Sequence, residues 1–116
     1  MIRRLSRSWG ARVAVEGSSM QPTLEPGDWL LVDPAAYATA PPAVGDLVLV
    51  PDPRDPARLL VKRVAEVDDD GRELFVAGDR HEASTDSRAF GSVSTSTVRG
   101  GPWFRYWPLR RMGPIG

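Results

Sequence analysis

Short runs in which apolar and polar residues alternate, separated by turn residues, extend over most of the chain. Because a strand presents alternate residues to opposite faces, such runs predict β-strands. We expect strands at residues 12–16, 29–32, 46–50, 59–67, 74–77 and 98–107. No segment shows sustained helical periodicity. The pattern predicts a mainly β fold with at most short helices, near the N-terminus and around residues 34–37.

Proline and glycine mark the connections between these runs. Turns are expected at Pro26-Gly27, at Pro41-Pro42 and over residues 51–56. The Asp70-Gly71 pair stands between two predicted strands and is a typical hairpin signal.

The first twelve residues form a basic N-terminal segment in which arginines alternate with Ile2, Leu5 and Trp9. One interpretation is a short amphipathic helix that rests on an anionic membrane surface. The other is a terminus whose apolar residues pack on the domain. We expect one domain over residues 13–108, followed by a C-terminal tail at 109–116.

Composition narrows the classes of function. A chain of 116 residues fits a single domain, and its fifteen basic and fifteen acidic residues balance, which does not indicate nucleic-acid binding. The absence of cysteine excludes thiolate catalysis and cysteine-ligated metals. No apolar run approaches the roughly 20 residues of a membrane span. The expectation is a soluble, cytoplasmic protein with a peripheral membrane contact at most, and no cofactor or metal is predicted.

A candidate nucleophile lies in the turn Gly17-Ser18-Ser19-Met20, directly after a predicted strand. A strand-to-turn junction can expose a hydroxyl while backbone N–H groups point into the same space, as an oxyanion hole requires. Most serines in such turns only satisfy backbone groups. The turn alone does not choose between Ser18 and Ser19.

A serine nucleophile needs a base, and two residues qualify. His81 is the only histidine and lies in a polar stretch typical of an exposed loop. Lys62 is the only lysine among the fifteen basic residues. It shares a strand face with Leu60 and Val64, an apolar setting that disfavours the ammonium form. The opposite face is also mostly apolar, so alternation does not say which is core, and a lone strand lysine is commonly an edge residue.

A third polar segment, residues 78–91, carries Ser84, Asp86 and Arg88. Its serines and carboxylates could orient a lysine, and Asp86 could pair with Arg88 to fix the loop. It can equally be read as a plain polar connection between strands.

In this order and spacing, the three segments resemble the signal peptidase I family of serine-lysine peptidases (S26), over residues 15–93. The resemblance implies that Ser19, directly before Met20, is the nucleophile and Lys62 the general base. It further implies that Ser84 hydrogen-bonds the lysine, that Asp86 pairs with Arg88, and that the Ser19 N–H binds the oxyanion. Gly17 falls where some members supply a second oxyanion donor from a hydroxyl, so that donor is unassigned.

Within that family, the chain is most similar to a short soluble branch, the nickel-type superoxide dismutase maturation proteases, down to the ending Arg105-Tyr106-Trp107-Pro108. This implies a coiled antiparallel sheet or partial barrel of the signal peptidase and repressor-autopeptidase type. It also implies removal of the N-terminal leader of a nickel superoxide dismutase precursor. Two departures are Arg80, where asparagine is usual, and the lack of an N-terminal membrane span.

Two alternatives stay open. A repressor-type domain uses the same serine-lysine chemistry to cleave itself, although no DNA-binding segment precedes Ser19 in this sequence. A non-catalytic peptide-binding module could share the fold. The aromatic and basic C-terminal region, residues 103–111, either packs as a final strand or contacts a membrane surface.

Overall fold

The computed structural model describes residues 2–6, 11–80 and 90–115 of the chain. Nine strands lie within these ranges: β1 (Ile2–Ser6), β2 (Ala11–Val15), β3 (Trp29–Asp33), β4 (Leu47–Asp52), β5 (Asp55–Val67), β6 (Glu73–Ala77), β7 (Val93–Ser94), β8 (Gly101–Trp107) and β9 (Gly113–Pro114). Two single-turn 3₁₀ helices, Thr95–Thr97 and Leu109–Arg111, also lie in these ranges. The predicted mainly β class is confirmed.

All strand pairings are antiparallel, and they curl the sheet into a partial barrel. One path of neighbours runs β5-β1-β2-β3-β8, and β4 pairs with β5 on the other side. A bridge between Leu49 and Gly100 brings β4 back toward the start of β8. The Leu49 N–H donates to the Gly100 carbonyl (3.0 Å), and the Arg99 N–H donates to the Leu49 carbonyl (2.7 Å). The predicted coiled sheet is therefore confirmed.

The hairpin of β4 and β5 separates two apolar clusters, because strand alternation sends its side chains to both faces. The barrel cluster lies on one face and contains Val13, Val15, Met20, Leu24, Leu30, Val32, Leu47, Leu49 and Val61. The outer cluster lies on the other face and includes side chains of β6 and β7. It contains Val48, Val50, Leu60, Val64, Leu74, Val76 and Val93. Burial on both faces explains why the apolar run of β4 shows no alternation.

The six predicted strands are present, with altered ends. The most extended is β5, which begins at Asp55 rather than at residue 59, because it continues its pairing with β4 toward the hairpin. The predicted hairpin at Asp70-Gly71 is also found, joining β5 to β6. Gly71 has φ 74°, a left-handed conformation that suits glycine.

Residues 2–6 and 34–37, where the sequence allowed at most a short helix, are not helical. Residues 2–6 form β1, which pairs with β2 in the register Arg3↔Ala14 and touches β5 at Ile2↔Leu59. So short a segment cannot sustain a helix by itself, whereas a neighbouring strand satisfies its backbone groups. Around residues 34–37 the chain forms turns, opened by the Asp33 carboxylate, which accepts the Ala35 N–H (2.9 Å).

The C-terminal aromatic region contains a strand and also exposes large apolar side chains. It forms β8, which pairs with β3 as expected for a final strand. Yet Trp103 is 52% exposed and Trp107 50%, and Leu109 and Met112 beyond them are also exposed. None of the helices in the described ranges is long and apolar enough to cross a membrane.

Candidate active site

Lys62 is buried in the middle of the sheet, with 3% of its surface exposed. It lies opposite Val48 of β4, so its side chain shares the face of the outer cluster, between Leu60 and Val64 of its own strand. The interpretation of Lys62 as an edge lysine with its head in water is therefore wrong. Removal of an ammonium group from water into aliphatic surroundings favours the neutral amine. A neutral amine can accept a proton.

Ser19 lies in the loop that connects β2 to β3, as predicted. Gly17, which opens the loop, has φ 83°, where side-chain-bearing residues are strained. The side chains of Met20 and Leu24 are buried in the barrel cluster, and the Leu24 N–H donates to the Met20 carbonyl (2.9 Å). Ser19 itself is half-buried. The loop is thus anchored in the core on the C-terminal side of the serine.

The loop of the predicted nucleophile, residues 17–24, which we call the nucleophile loop, contacts the segment that follows β6. The Arg80 N–H donates to the Ser19 carbonyl (2.8 Å), and the Arg80 guanidinium donates to the Gln21 side-chain carbonyl (2.6 Å). The Thr23 hydroxyl donates to the Asp79 carboxylate (2.6 Å). Arg80, the departure from the family pattern, therefore contributes a side-chain contact to the nucleophile loop.

Asp79 also binds the strand that carries Lys62. Arg63 donates to both oxygens of Asp79, from Nε to Oδ1 and from Nη2 to Oδ2, each at 2.9 Å. This bidentate pair raises the pKa of Arg63 above its ordinary value, mainly through the hydrogen bonds to Asp79. Because Arg63 directly follows Lys62, Asp79 connects the nucleophile loop to the lysine strand.

The structure therefore brings together the first two predicted motifs and the beginning of the third. Ser84, Asp86 and Arg88 lie outside the described residues, as does the alternative base His81. Arg63, Asp79 and Thr23 had no role in the prediction from sequence. The sequence does place Arg63 and Asp79 in two segments that were expected to meet. A local pattern does not show, however, that these two residues pair with each other.

Two cavities lie away from these residues. The larger, about 600 Å³, lies between the β4–β5 hairpin and β7 and is lined by Pro51, Pro53, Pro56, residues 92–94, Ser96, Thr97 and Arg99. The smaller, about 280 Å³, includes Tyr37. Neither contains Ser19 or Lys62. Size alone does not identify the site here, because the larger cavity has no nucleophile-base pair among its lining residues.

The described residues include no group of three or more histidine, aspartate or glutamate side chains arranged to hold a metal ion. What they do provide is a half-buried serine on an anchored loop, a buried lysine in an apolar setting, and a charged bridge between their two segments. A serine and a lysine of this kind suit acyl transfer.

Comparison with known proteins agrees with this chemistry. The sequence profile described as "Signal peptidase, peptidase S26" matches residues 5–71 and 66–107. The mitochondrial ATP-independent inner membrane protease subunit 1a of Arabidopsis thaliana is 33% identical over 122 residues, covering 87% of this chain and 73% of its own. The mitochondrial inner membrane protease subunit 2 of Danio rerio is 32% identical, covering 84% of this chain and 64% of its own. The probable signal peptidase I-1 of Synechocystis is 28% identical, covering 88% and 74%. The chain therefore belongs to the signal peptidase family S26 and is a serine peptidase.

Proposed function

We propose that this protein is an endopeptidase that removes an N-terminal leader from a precursor protein, with Ser19 as nucleophile and Lys62 as general base. One observation carries the assignment of the pair. The only lysine of the chain is buried among aliphatic side chains, and its strand is joined through Arg63 and Asp79 to the loop of Ser19. Burial disfavours the ammonium form of a lysine, and the bridge connects the two segments.

The reaction is acyl transfer. Neutral Lys62 takes the Ser19 hydroxyl proton as the serine oxygen attacks the scissile carbonyl, and the resulting tetrahedral oxyanion accepts hydrogen bonds from backbone N–H groups. The lysine then protonates the leaving amine, and the C–N bond breaks to leave an acyl-serine. Lys62 next takes a proton from water, whose oxygen attacks the ester and releases the carboxylate product and the serine.

The other predicted residues complete this proposal. The Ser19 N–H is assigned to the oxyanion, and Ser84 to a hydrogen bond with Lys62. Asp86 and Arg88 are assigned to a charge pair that would hold the site. The φ of 83° at Gly17 disfavours a hydroxyl-bearing residue at that position, so any second oxyanion donor comes from elsewhere. These roles follow from the family resemblance.

For the substrate, we propose the nickel superoxide dismutase precursor, on the basis of the resemblance of the sequence to the maturation proteases. The relatives named above carry the names of inner membrane proteases and signal peptidases, so they support leader removal in general and not this precursor. The names of the Arabidopsis and Danio relatives also refer to a membrane, and the expected cytoplasmic location gains no support from these proteins.

The test is incubation of the protein and of Ser19→Ala with a purified nickel superoxide dismutase precursor, and, in parallel, with an internally quenched peptide that has alanines before its scissile bond. We expect the unaltered protein to release a new amino terminus, detected by mass spectrometry, and Ser19→Ala to release none. Cleavage of the peptide but not of the precursor would overturn the substrate. Equal cleavage by both proteins would overturn Ser19.

Two further outcomes separate the alternatives. Cleavage of this chain alone, at a rate independent of its concentration, would indicate a self-cleaving domain. Peptide binding by calorimetry, without turnover of any substrate, would indicate a non-catalytic module. A Ser18→Ala variant is the matched control, because it alters the adjacent hydroxyl of the same turn and is expected to keep activity.

We also propose a peripheral membrane contact through the exposed side chains of Trp103, Trp107, Leu109 and Met112. Tryptophan is typical of the membrane interface, and the neighbouring Arg110 would favour anionic lipids. We expect cosedimentation with vesicles of anionic phospholipid, reduced about tenfold by combined Trp103→Ser and Trp107→Ser, while Phe75→Ser, at another exposed aromatic, has little effect. Equal sedimentation of all three proteins would contradict this contact.

A further inference from the structure

A buried carboxylate lies behind the nucleophile loop. Asp28 is 1% exposed, and its Oδ2 accepts hydrogen bonds from the Glu25 N–H (2.9 Å) and from the guanidinium groups of Arg105 (3.0 Å) and Arg111 (3.4 Å). A buried carboxylate is costly unless it is paired and hydrogen-bonded. The C-terminal part of the chain, which supplies both arginines, therefore stabilises the turn that leads into β3.

Arg105 does more than neutralise Asp28. The same Nη1 donates to the backbone carbonyl of Thr23 (3.0 Å), and Nε donates to the Arg111 carbonyl (2.7 Å). With 14% of its side chain exposed, Arg105 is held by three residues, two in the connection between β2 and β3 and one near the C-terminus. A planar guanidinium can make these contacts together, whereas an ammonium on a flexible stem cannot reproduce their geometry.

Thr23 is consequently held from two directions. Its carbonyl accepts from Arg105 of β8, and its hydroxyl donates to Asp79, which is itself bound by Arg63. Three residues lie between Ser19 and Thr23; Met20, the first of them, and Leu24, which follows Thr23, are both anchored in the barrel cluster. The end of the nucleophile loop thus has one connection toward the lysine strand and one toward the C-terminal strand.

We propose that Arg105 is a positioning residue that fixes the nucleophile loop through Thr23, so that the C-terminal strand sets the placement of Ser19 relative to Lys62. The inference rests on the proposed roles of Ser19 and Lys62. Arg105 bonds the loop at Thr23, not at the serine, and acts through the backbone. Displacement of reacting groups by about 1 Å can lower the rate about 100-fold, so a contact that positions the loop can strongly affect catalysis.

Arg111 provides a matched control, because within the described part of the chain its side chain donates to Asp28 at 3.4 Å and not to Thr23. Arg105 donates to the backbone carbonyl of Arg111, and this carbonyl remains when the Arg111 side chain is substituted. Loss of either arginine weakens the pairing of Asp28, but only loss of Arg105 releases Thr23.

The test compares Arg105→Lys with Arg111→Gln in two measurements. In hydrogen exchange, we expect Arg105→Lys to speed exchange of the Gln21 and Leu24 amides at least tenfold relative to the Leu30 amide of β3, and Arg111→Gln to leave this ratio unchanged. In turnover of the quenched peptide, we expect Arg105→Lys to lower kcat about 10- to 100-fold with KM within about threefold. Arg111→Gln should keep kcat.

Added methylguanidinium should partly restore kcat to Arg105→Gly, which a purely structural defect in the folding of the chain would not predict. Unchanged loop exchange in Arg105→Lys, or equal loss of kcat in Arg111→Gln, would overturn the positioning role. Failure of the proposed function can be distinguished from failure of this inference. Hydrogen exchange reports on the loop without any substrate. Full activity of Ser19→Ala would show that Ser19 is not the nucleophile, and the exchange result would still hold.

Discussion

Lys62→Met is expected to abolish peptide cleavage while leaving the protein folded. Methionine has a similar length and no titratable group, so the hydroxyl of Ser19 loses its proton acceptor. General-base catalysis contributes about 100- to 10,000-fold, and we expect kcat to fall by at least about 1,000-fold. Residue 62 is 3% exposed and shares its strand face with Leu60 and Val64, so an apolar side chain of similar volume suits the position, and we expect Lys62→Met to unfold cooperatively. The measurements are turnover of the quenched peptide and urea denaturation.

Lys62→Arg is the informative companion. It keeps a positive charge, but a guanidinium cannot lose its proton near neutral pH, so activity should also be absent. It forces a larger, permanently charged group into the outer cluster, and its unfolding midpoint should lie below that of Lys62→Met. Residual turnover above about 10% in either variant would show that Lys62 is not the base.

Asp79→Ala is expected to have the second largest effect, because one carboxylate serves both Arg63 and Thr23. Loss of the charged partner leaves a guanidinium that is 25% exposed, which water can only partly hydrate, at a cost of about 1–3 kcal/mol in unfolding free energy. The nucleophile loop also loses its connection to the lysine strand. We therefore expect kcat to fall about 100-fold, more than the stability change alone explains.

The matched control is Asp70→Ala. Asp70 pairs with Arg72 at 3.7 Å, and both side chains are largely exposed, 59% and 85%. Such surface pairs contribute little, so unfolding free energy should change by less than about 1 kcal/mol and kcat should be unaltered. A normal kcat in Asp79→Ala would mean that the bridge between loop and strand does not matter for catalysis.

The apolar-polar pattern correctly predicted where strands form, because alternation and turn residues are local properties of the chain. It failed at residues 2–6, where five residues have no strong preference of their own and the pairing with β2 decides. The same holds for residues 34–37, where the Asp33 side chain favours a turn over a helix.

Some features of the candidate site follow from the sequence, and others depend on the tertiary structure. The sequence by itself determined the mainly β class, the loop position of Ser19 and the mid-strand position of the only lysine, since these depend on neighbours in the chain. Only the tertiary structure decided that Lys62 is buried, because both faces of β5 are apolar and the second cluster comes from distant strands. It also decided that Asp79 and Arg105 hold the nucleophile loop. Such contacts join residues far apart in sequence, and they arise from the curl of the sheet, which no local pattern encodes.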